Sequence, residues 1–211
     1  MSGAELTREV ARRVFASEFN DSTYAFKESD DERAPNYALL PTGDRANRVF
    51  VVGTLTETED VGEESEYWRG RVVDPTGTFF VYAGQYQPEA AAALRDTEPP
   101  AYAAVVGKPR TYETDDGTVN VSLRPESIAI VDEATRDRWV VETAERTLER
   151  VEAFGEWEAE QEPPESGSTA PTNEYAQMAR ERYDSPVENY RRDVIQALES
   201  IEGTQNPEPT T

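Results

Sequence analysis

Arginines interleave with apolar residues at period two through Trp68–Val72, and Thr78–Ala83 is apolar and aromatic along nearly its whole length. Both runs are rich in aromatic and β-branched residues, which suit a pleated, half-buried surface. Between them Asp74-Pro75-Thr76-Gly77 puts Pro where a turn presets φ and Gly where it closes. The pair predicts a hairpin. Val49–Thr56 upstream reads as an earlier strand, and Pro88–Arg95 downstream as a short alanine-rich helix with Pro in its first turn, where a missing N–H costs least. Ala101–Gly107 predicts a fourth strand. Arg110–Glu113 and Val119–Leu123 flank Asp115-Asp116-Gly117, a hairpin signal, and Val119–Leu123 with Ser127–Val131 counts as one bent fifth strand. Five strands with one helix between the third and fourth is the order of an OB-fold barrel. The expected class is therefore mainly β with flanking helices (α+β), with the barrel over residues 48–131.

Helical spacing governs the flanks. Leu6, Val10, Ala11, Val14, Phe15 and Phe19 make one apolar face and predict an amphipathic helix over 4–19, which either packs on the core or docks a partner. Residues 20–47 read as irregular, anchored by Tyr24, Phe26, Tyr37 and Leu39-Leu40, with Glu28, Asp30, Asp31 and Glu32 in a solvated loop. A helix is predicted over 132–155, capped by Asp132 or Thr135, apolar along Trp139, Val140, Thr143, Leu148 and Val151, and ended by Gly155. Residues 156–172 are rich in Pro, Ser and Gly and read as a disordered linker. Two helices follow within a module over 173–203, and a disordered tail over 204–211. The second helix starts at Ser185 and carries Val187, Tyr190, Val194, Leu198 and Ile201 on one stripe. Two helices cannot bury a sizeable core alone. This stripe is accordingly expected to fold back on the barrel or, as the preferred reading, to bind a partner protein.

Charge then changes the picture. The 211 residues include 43 Asp and Glu against 21 Lys and Arg, a net charge of −22, and Lys27 and Lys108 are the only lysines. Such a chain repels nucleic acid at long range. Acidity spread along the whole length with lysine nearly absent reads as adaptation to molar intracellular salt, where the Debye length falls to about 3 Å and that repulsion is screened. With no Cys and no His, disulfides, the usual zinc sites and the Cys–His and Ser–His nucleophiles are ruled out. No metal site and no cofactor are expected. No apolar run is long enough to span a bilayer and no signal region opens the chain, so a soluble, cytoplasmic protein without membrane contact is expected.

Within the hairpin, alternation puts Arg69 and Arg71 on one face, opposite Trp68, Gly70 and Val72. We place Phe80 and Tyr82 with the two arginines, facing a ligand, and Phe79, Val81 and Ala83 in the core. A one-residue slip would invert this assignment. Lys108 and Arg110 are read as lying at the loop between the last two strands, where OB-folds close over ligands. Rings offer stacking to bases, and guanidinium groups both stack and grip phosphate. The six residues Arg69, Arg71, Phe80, Tyr82, Lys108 and Arg110 form the candidate nucleic-acid-binding set.

Arg48–Glu57, Trp68–Gly77 and Val81–Ala90, together with Arg12–Ala16 and Pro35–Gly43, resemble the archaeal replication protein A family, and more specifically the small OB-fold replication protein A-associated proteins of haloarchaea. The resemblance covers about residues 1–155. It implies an accessory subunit of a single-stranded-DNA-binding complex in replication and repair, in a hetero-oligomer with a larger replication protein A subunit. Two other readings compete. One is a scaffold that binds a larger OB-fold partner without touching DNA. The other is a carboxylate-metal nuclease, which no recognisable carboxylate spacing supports, so no enzymatic activity is expected.

Overall fold

The computed structural model describes residues 9–32, 34–161, 173–184 and 186–202. Its main sheet contains β5 (Val49–Asp60), β6 (Trp68–Asp74), β7 (Gly77–Ala83), β8 (Ala101–Glu113) and β9 (Val119–Ile130), and α2 (Pro88–Asp96) lies between β7 and β8. The strands follow the order β5-β6-β7-β9-β8, and β8 pairs back onto β5 to close the ring. Among these five strands all contacts are antiparallel except β7 with β9, which run parallel at Val81 and Leu123. This is the five-stranded OB-fold barrel expected from the strand order.

Closure depends on strands long enough to serve two neighbours. The first half of β5 pairs with β8 and its second half with β6, the two ladders overlapping at Thr54 and Leu55. Gly53 sits at this changeover because a Cβ there would lie 2.5 Å from the Val73 carbonyl oxygen. The interior is filled by Val51, Leu55, Val72, Phe79, Val81, Val105 and Leu123, all fully buried, with Leu94 of α2 packed among them. Asp74 ends β6. Its carboxylate accepts from the Thr76 and Gly77 amides and the Thr76 hydroxyl, and its other oxygen accepts from the Ala16 amide at 2.8 Å. Burial pushes this carboxyl up to about 6, while the four donors oppose the shift.

The N-terminal segment departs from the sequence-based expectation. No helix covers residues 9–15: Arg12–Arg13 forms β1, paired parallel with Val49–Phe50, and α1 is confined to Ala16–Asp21. Val10 is 86% exposed, whereas Val14, Phe15 and Phe19 are buried. The edge of β5 offers backbone partners, Arg13 lies 4.8 Å from the Phe50 ring centroid, and Glu142 ion-pairs with Arg13. These tertiary contacts outweigh the weak helical preference of the segment. Leu6 lies outside the described residues. The segment after α1 is not irregular. β2 (Ala25–Lys27), β3 (Asn36–Leu39) and β4 (Arg45–Ala46) form a second, antiparallel sheet, while residues 28–32 stay exposed as expected.

The third helix is longer than predicted, and the C-terminal helices are better anchored. Asp132 accepts from the Thr135 amide, so α3 (Glu133–Gln161) is capped where expected, but it runs through Gly155. The apolar stripe bridges that glycine, from Phe154 before it to Trp157 beyond it, both buried in a small cluster with Leu39, Ala176 and Ala179. Residues 156–161 are therefore helical, and 162–172 and 203–211 lie outside the described residues. α4 (Glu174–Arg182) is capped by Asn173, and α5 (Glu188–Glu202) follows; Ser185 is not described.

The stripe on α5 faces inward, which corrects its reading as a partner-binding face. Tyr190 is buried, Val194, Ala197 and Ile201 join the main core with Leu198 partly buried beside them, and Val187 packs on the small cluster. α3 and the end of the barrel supply the apolar surface that two helices alone lack. The Tyr190 hydroxyl donates to Asp21 at 2.7 Å and Gln196 to the Pro75 carbonyl, fixing α5 against the barrel. A buried Glu18–Arg150 ion pair at 2.5 Å, joined by Thr42, ties α1 to α3.

Candidate functional site

The β6–β7 register sets Arg69 opposite Tyr82 and Arg71 opposite Phe80. Gly70 and Val72 point inward with Phe79, Val81 and Ala83, and Trp68 packs against the same core. The outward placement of Arg69, Arg71, Phe80 and Tyr82 therefore holds. Cross-strand neighbours of this kind stand close enough to act as one surface. Phe80 is 36% exposed, although it is a large apolar side chain on a solvent face.

Lys108 and Arg110 are not in a loop. They lie within β8, which continues through Pro109 to Glu113, and the connection to β9 is the acidic turn around Thr114–Thr118. Pairing with β9, which offered backbone partners along its whole length, kept this segment extended. Lys108 is opposite Arg124 and Arg110 opposite Ser122 on the outward side, while Pro109 and Thr111 pair with the inward Leu123 and Val121. Because Val81 pairs with Leu123, Ser122 and Arg124 of β9 lie beside Phe80 and Tyr82 of β7. The two hairpins thus join into one outward face across β6, β7, β9 and β8.

Three members of this face were not singled out from the sequence. Arg124 lies next to Arg110; burial and that neighbouring cation both lower its pKa. Tyr67 stacks on Tyr82 with ring centroids 5.8 Å apart and 22° between planes. Tyr112 stands opposite Asn120, 44% exposed, near enough to Tyr82 to disfavour its phenolate. The Tyr82 hydroxyl is raised first by burial, while the adjacent Arg69 acts the other way. Period-two alternation carried on from Arg110 through Tyr112, and from Ser122 to Arg124, is the signal that points to these positions.

Charge pairing separates the members. Arg69 is held by Glu59 at 2.6 Å and Glu57 at 3.4 Å, both from β5. Among the described residues no ion pair holds Arg71, Lys108, Arg110 or Arg124, whereas Arg12, Arg13, Arg45, Arg48, Arg95, Arg136 and Arg150 are all paired. Arg138, Arg182 and Arg192 likewise have no ion pair among the described residues, and Glu126 still acts on Arg124 from nearby, so what marks Arg71, Lys108, Arg110 and Arg124 is that they stand together on one face. Carboxylates instead rim the face, at Glu63, Glu64 and Glu66 on one side and Glu113, Asp115 and Asp116 on the other. The centre therefore offers exposed rings and guanidinium groups to a ligand with planar groups and negative charge.

No family model matches the chain, and no curated protein matches it. Among solved structures it is similar to OBody NL8 bound to hen egg-white lysozyme, at 15% identity over 41% of this chain and 94% of that one, with a TM-score of 0.34. It is also similar to the mitochondrial single-stranded-DNA-binding protein Rim1 from S. cerevisiae, at 19% identity over 40% and 92% of the two chains, with a TM-score of 0.32. Yeast Stn1 and Ten1 give 9% identity over 74% and 85%, with a TM-score of 0.44. The strand order and closure described above carry the fold assignment.

Among the described residues no group of three or more acidic side chains is placed to hold a metal, and no helix is long and apolar enough to cross a membrane.

Proposed function

We propose that the chain binds single-stranded DNA on the outward face of β6, β7, β9 and β8, as an accessory subunit that partners a larger replication protein A subunit in replication and repair. The observation that carries this reading is the alignment of Arg71 with Phe80 and of Arg69 with Tyr82, continued by unpaired Arg110 and Arg124. This face belongs to the part of an OB-fold that binds oligonucleotides. The subunit role and the larger partner rest on the resemblance to haloarchaeal replication protein A-associated proteins.

Base stacking supplies most of the affinity. In molar salt counterion release contributes little, because log affinity falls with log salt in proportion to the phosphates contacted. Stacking is worth about 1–3 kcal/mol per base and is tolerant of sequence, and as a contact between uncharged planes it releases no counterions. Guanidinium groups fit this setting, since they stack on bases and bind phosphate bidentately at short range.

The double variant Tyr82→Ala with Arg71→Ala tests the site. Single-strand affinity in molar KCl, measured by fluorescence anisotropy on the full chain, is expected to fall roughly 10- to 100-fold through the loss of one stacking platform and one grip. An unchanged affinity would overturn the site. A scaffold that binds only protein predicts no DNA binding by the wild type at any salt. The α5 stripe that would have served such a scaffold is already packed inside the chain.

A further inference from the structure

Tyr86 is the most conspicuous side chain that the proposed site leaves out. It is 85% exposed, and among the described residues no hydrogen bond or ring contact holds it. It lies in the connection between β7 and α2, four positions after Tyr82. The rings lead toward it. Tyr82 stacks on Tyr67, and the Tyr67 ring lies on the bare backbone of Gly84, where a Cβ would come within 2.8 Å of Cδ2. A side chain at position 84 would push Tyr67 off Tyr82 and close the way from the sheet face to the loop.

Two grooves meet at Tyr86. One, of about 360 Å³, is lined by Gly62, Ser65, Tyr67 and Gly84. The other, of about 310 Å³, is lined by Gln87, Pro88, Arg124 and Pro125, so it opens onto the cation that flanks Tyr82. Both grooves also carry carboxylates, Glu63 and Glu66 in the first and Glu89 and Glu126 in the second. These repel phosphate but not the uncharged plane of a base.

We infer that Tyr86 is a terminal stacking post for single-stranded DNA, receiving the base that leaves the sheet face beyond Tyr82 while Arg124 holds the backbone behind it. This rests on the proposed DNA-binding face and extends it by about one base. Stacking on an exposed ring depends little on ionic strength. The contribution of Tyr86 should therefore be constant with salt, unlike that of an arginine on a phosphate.

The test is the affinity of the full chain for a length series of oligo(dT), at 0.5 M and 2 M KCl, for wild type, Tyr86→Ala and Tyr86→Phe. Tyr86→Ala should match the wild type on the shortest oligonucleotides that bind. At the length where wild-type affinity levels off it should bind roughly 5- to 100-fold more weakly, by the same factor at both salts. Tyr86→Phe, which keeps the ring, should restore binding. Melting temperatures should coincide, because the side chain is exposed. Equal affinities at every length, with the wild type binding well, would overturn the role of Tyr86 and leave the sheet face standing. An equal loss on the shortest oligonucleotides would overturn its terminal position, and a loss confined to 0.5 M KCl would overturn stacking as its cause. Absence of binding by the wild type would overturn both this inference and the proposed function, and tighter binding to oligo(U) at all lengths would overturn DNA as the occupant.

Discussion

The protein carries two arginine–aromatic clusters of nearly the same composition, and they have opposite fates. On the small sheet, Phe26 stacks among Tyr24, Tyr37 and Tyr175, Arg45 lies 4.3 Å from the Tyr37 ring centroid, and Arg182 lies 4.2 Å from that of Tyr24. Arg45 is ion-paired with Glu28 and Glu9, and Tyr37 is buried and donates to Glu9. Burial and that carboxylate push the Tyr37 hydroxyl up to about 12. Every ring and cation there is covered or partnered from within the chain, and α4 closes over it. On the barrel, Arg71 and Arg110 have no carboxylate among the described residues, and Phe80 and Tyr112 keep much of their surface in water. Residue type alone did not separate the two clusters. What separates them is whether the fold supplies partners.

Substitutions can break that comparison. The largest expected effect is on the small sheet: Tyr37→Ala should lower stability by about 3 kcal/mol, as for other buried aromatic truncations, yet leave single-strand affinity unchanged wherever the protein is folded. Denaturant unfolding and anisotropy titration on the same sample check both halves, and a loss of intrinsic affinity would mean that this cluster also binds. The next effect belongs to the barrel. Arg110→Ala with Arg124→Ala should leave stability nearly unaltered, since neither side chain is buried in the core, and should flatten the slope of log affinity against log salt by about 1.4. An unchanged slope would mean that these cations do not touch phosphate.

The smallest effect sharpens the role of pairing itself. Glu57→Gln with Glu59→Gln releases Arg69, the one partnered arginine of the face. Exposed pairs of this kind are worth about 0–1 kcal/mol. Affinity should rise by up to about fivefold at low salt and converge on the wild type in molar salt, where the pair is screened. A decrease in affinity would show that the two glutamates orient Arg69 for binding.

Much of the barrel was legible before any coordinates. Interleaved arginines in β6 marked its outward side, the pleat carried that assignment across to β7, and Asp74-Pro75-Thr76-Gly77 is a turn on local grounds alone. Arg69, Arg71, Phe80 and Tyr82 followed from that. Lys108 and Arg110 stand near the site as expected, but within a strand and not a loop, because the β8–β9 ladder that keeps them extended joins residues far apart in the chain. Arg124 and Tyr112 escaped because their nearness to Tyr82 is set by pairing between distant strands, whereas Tyr67 lies just before β6 and reaches Tyr82 within the hairpin itself.

The sequence by itself determined the elements whose pattern is local: the β6–β7 hairpin, α2, the five strands of the barrel, the cap of α3 at Asp132, and the acidic balance under which any ligand must be met. Tertiary structure decided the rest. It turned Arg12–Arg13 into a strand because β5 had an unpaired edge there. It carried α3 past Gly155 because Phe154 and Trp157 had a cluster to fill, and it folded the α5 stripe inward because α3 and the barrel offered apolar surface nearby. In each case a contact between residues far apart in the chain outweighed a preference worth less than about 1 kcal/mol per residue. The same long-range pairing decides which arginines and rings are covered and which remain on the surface.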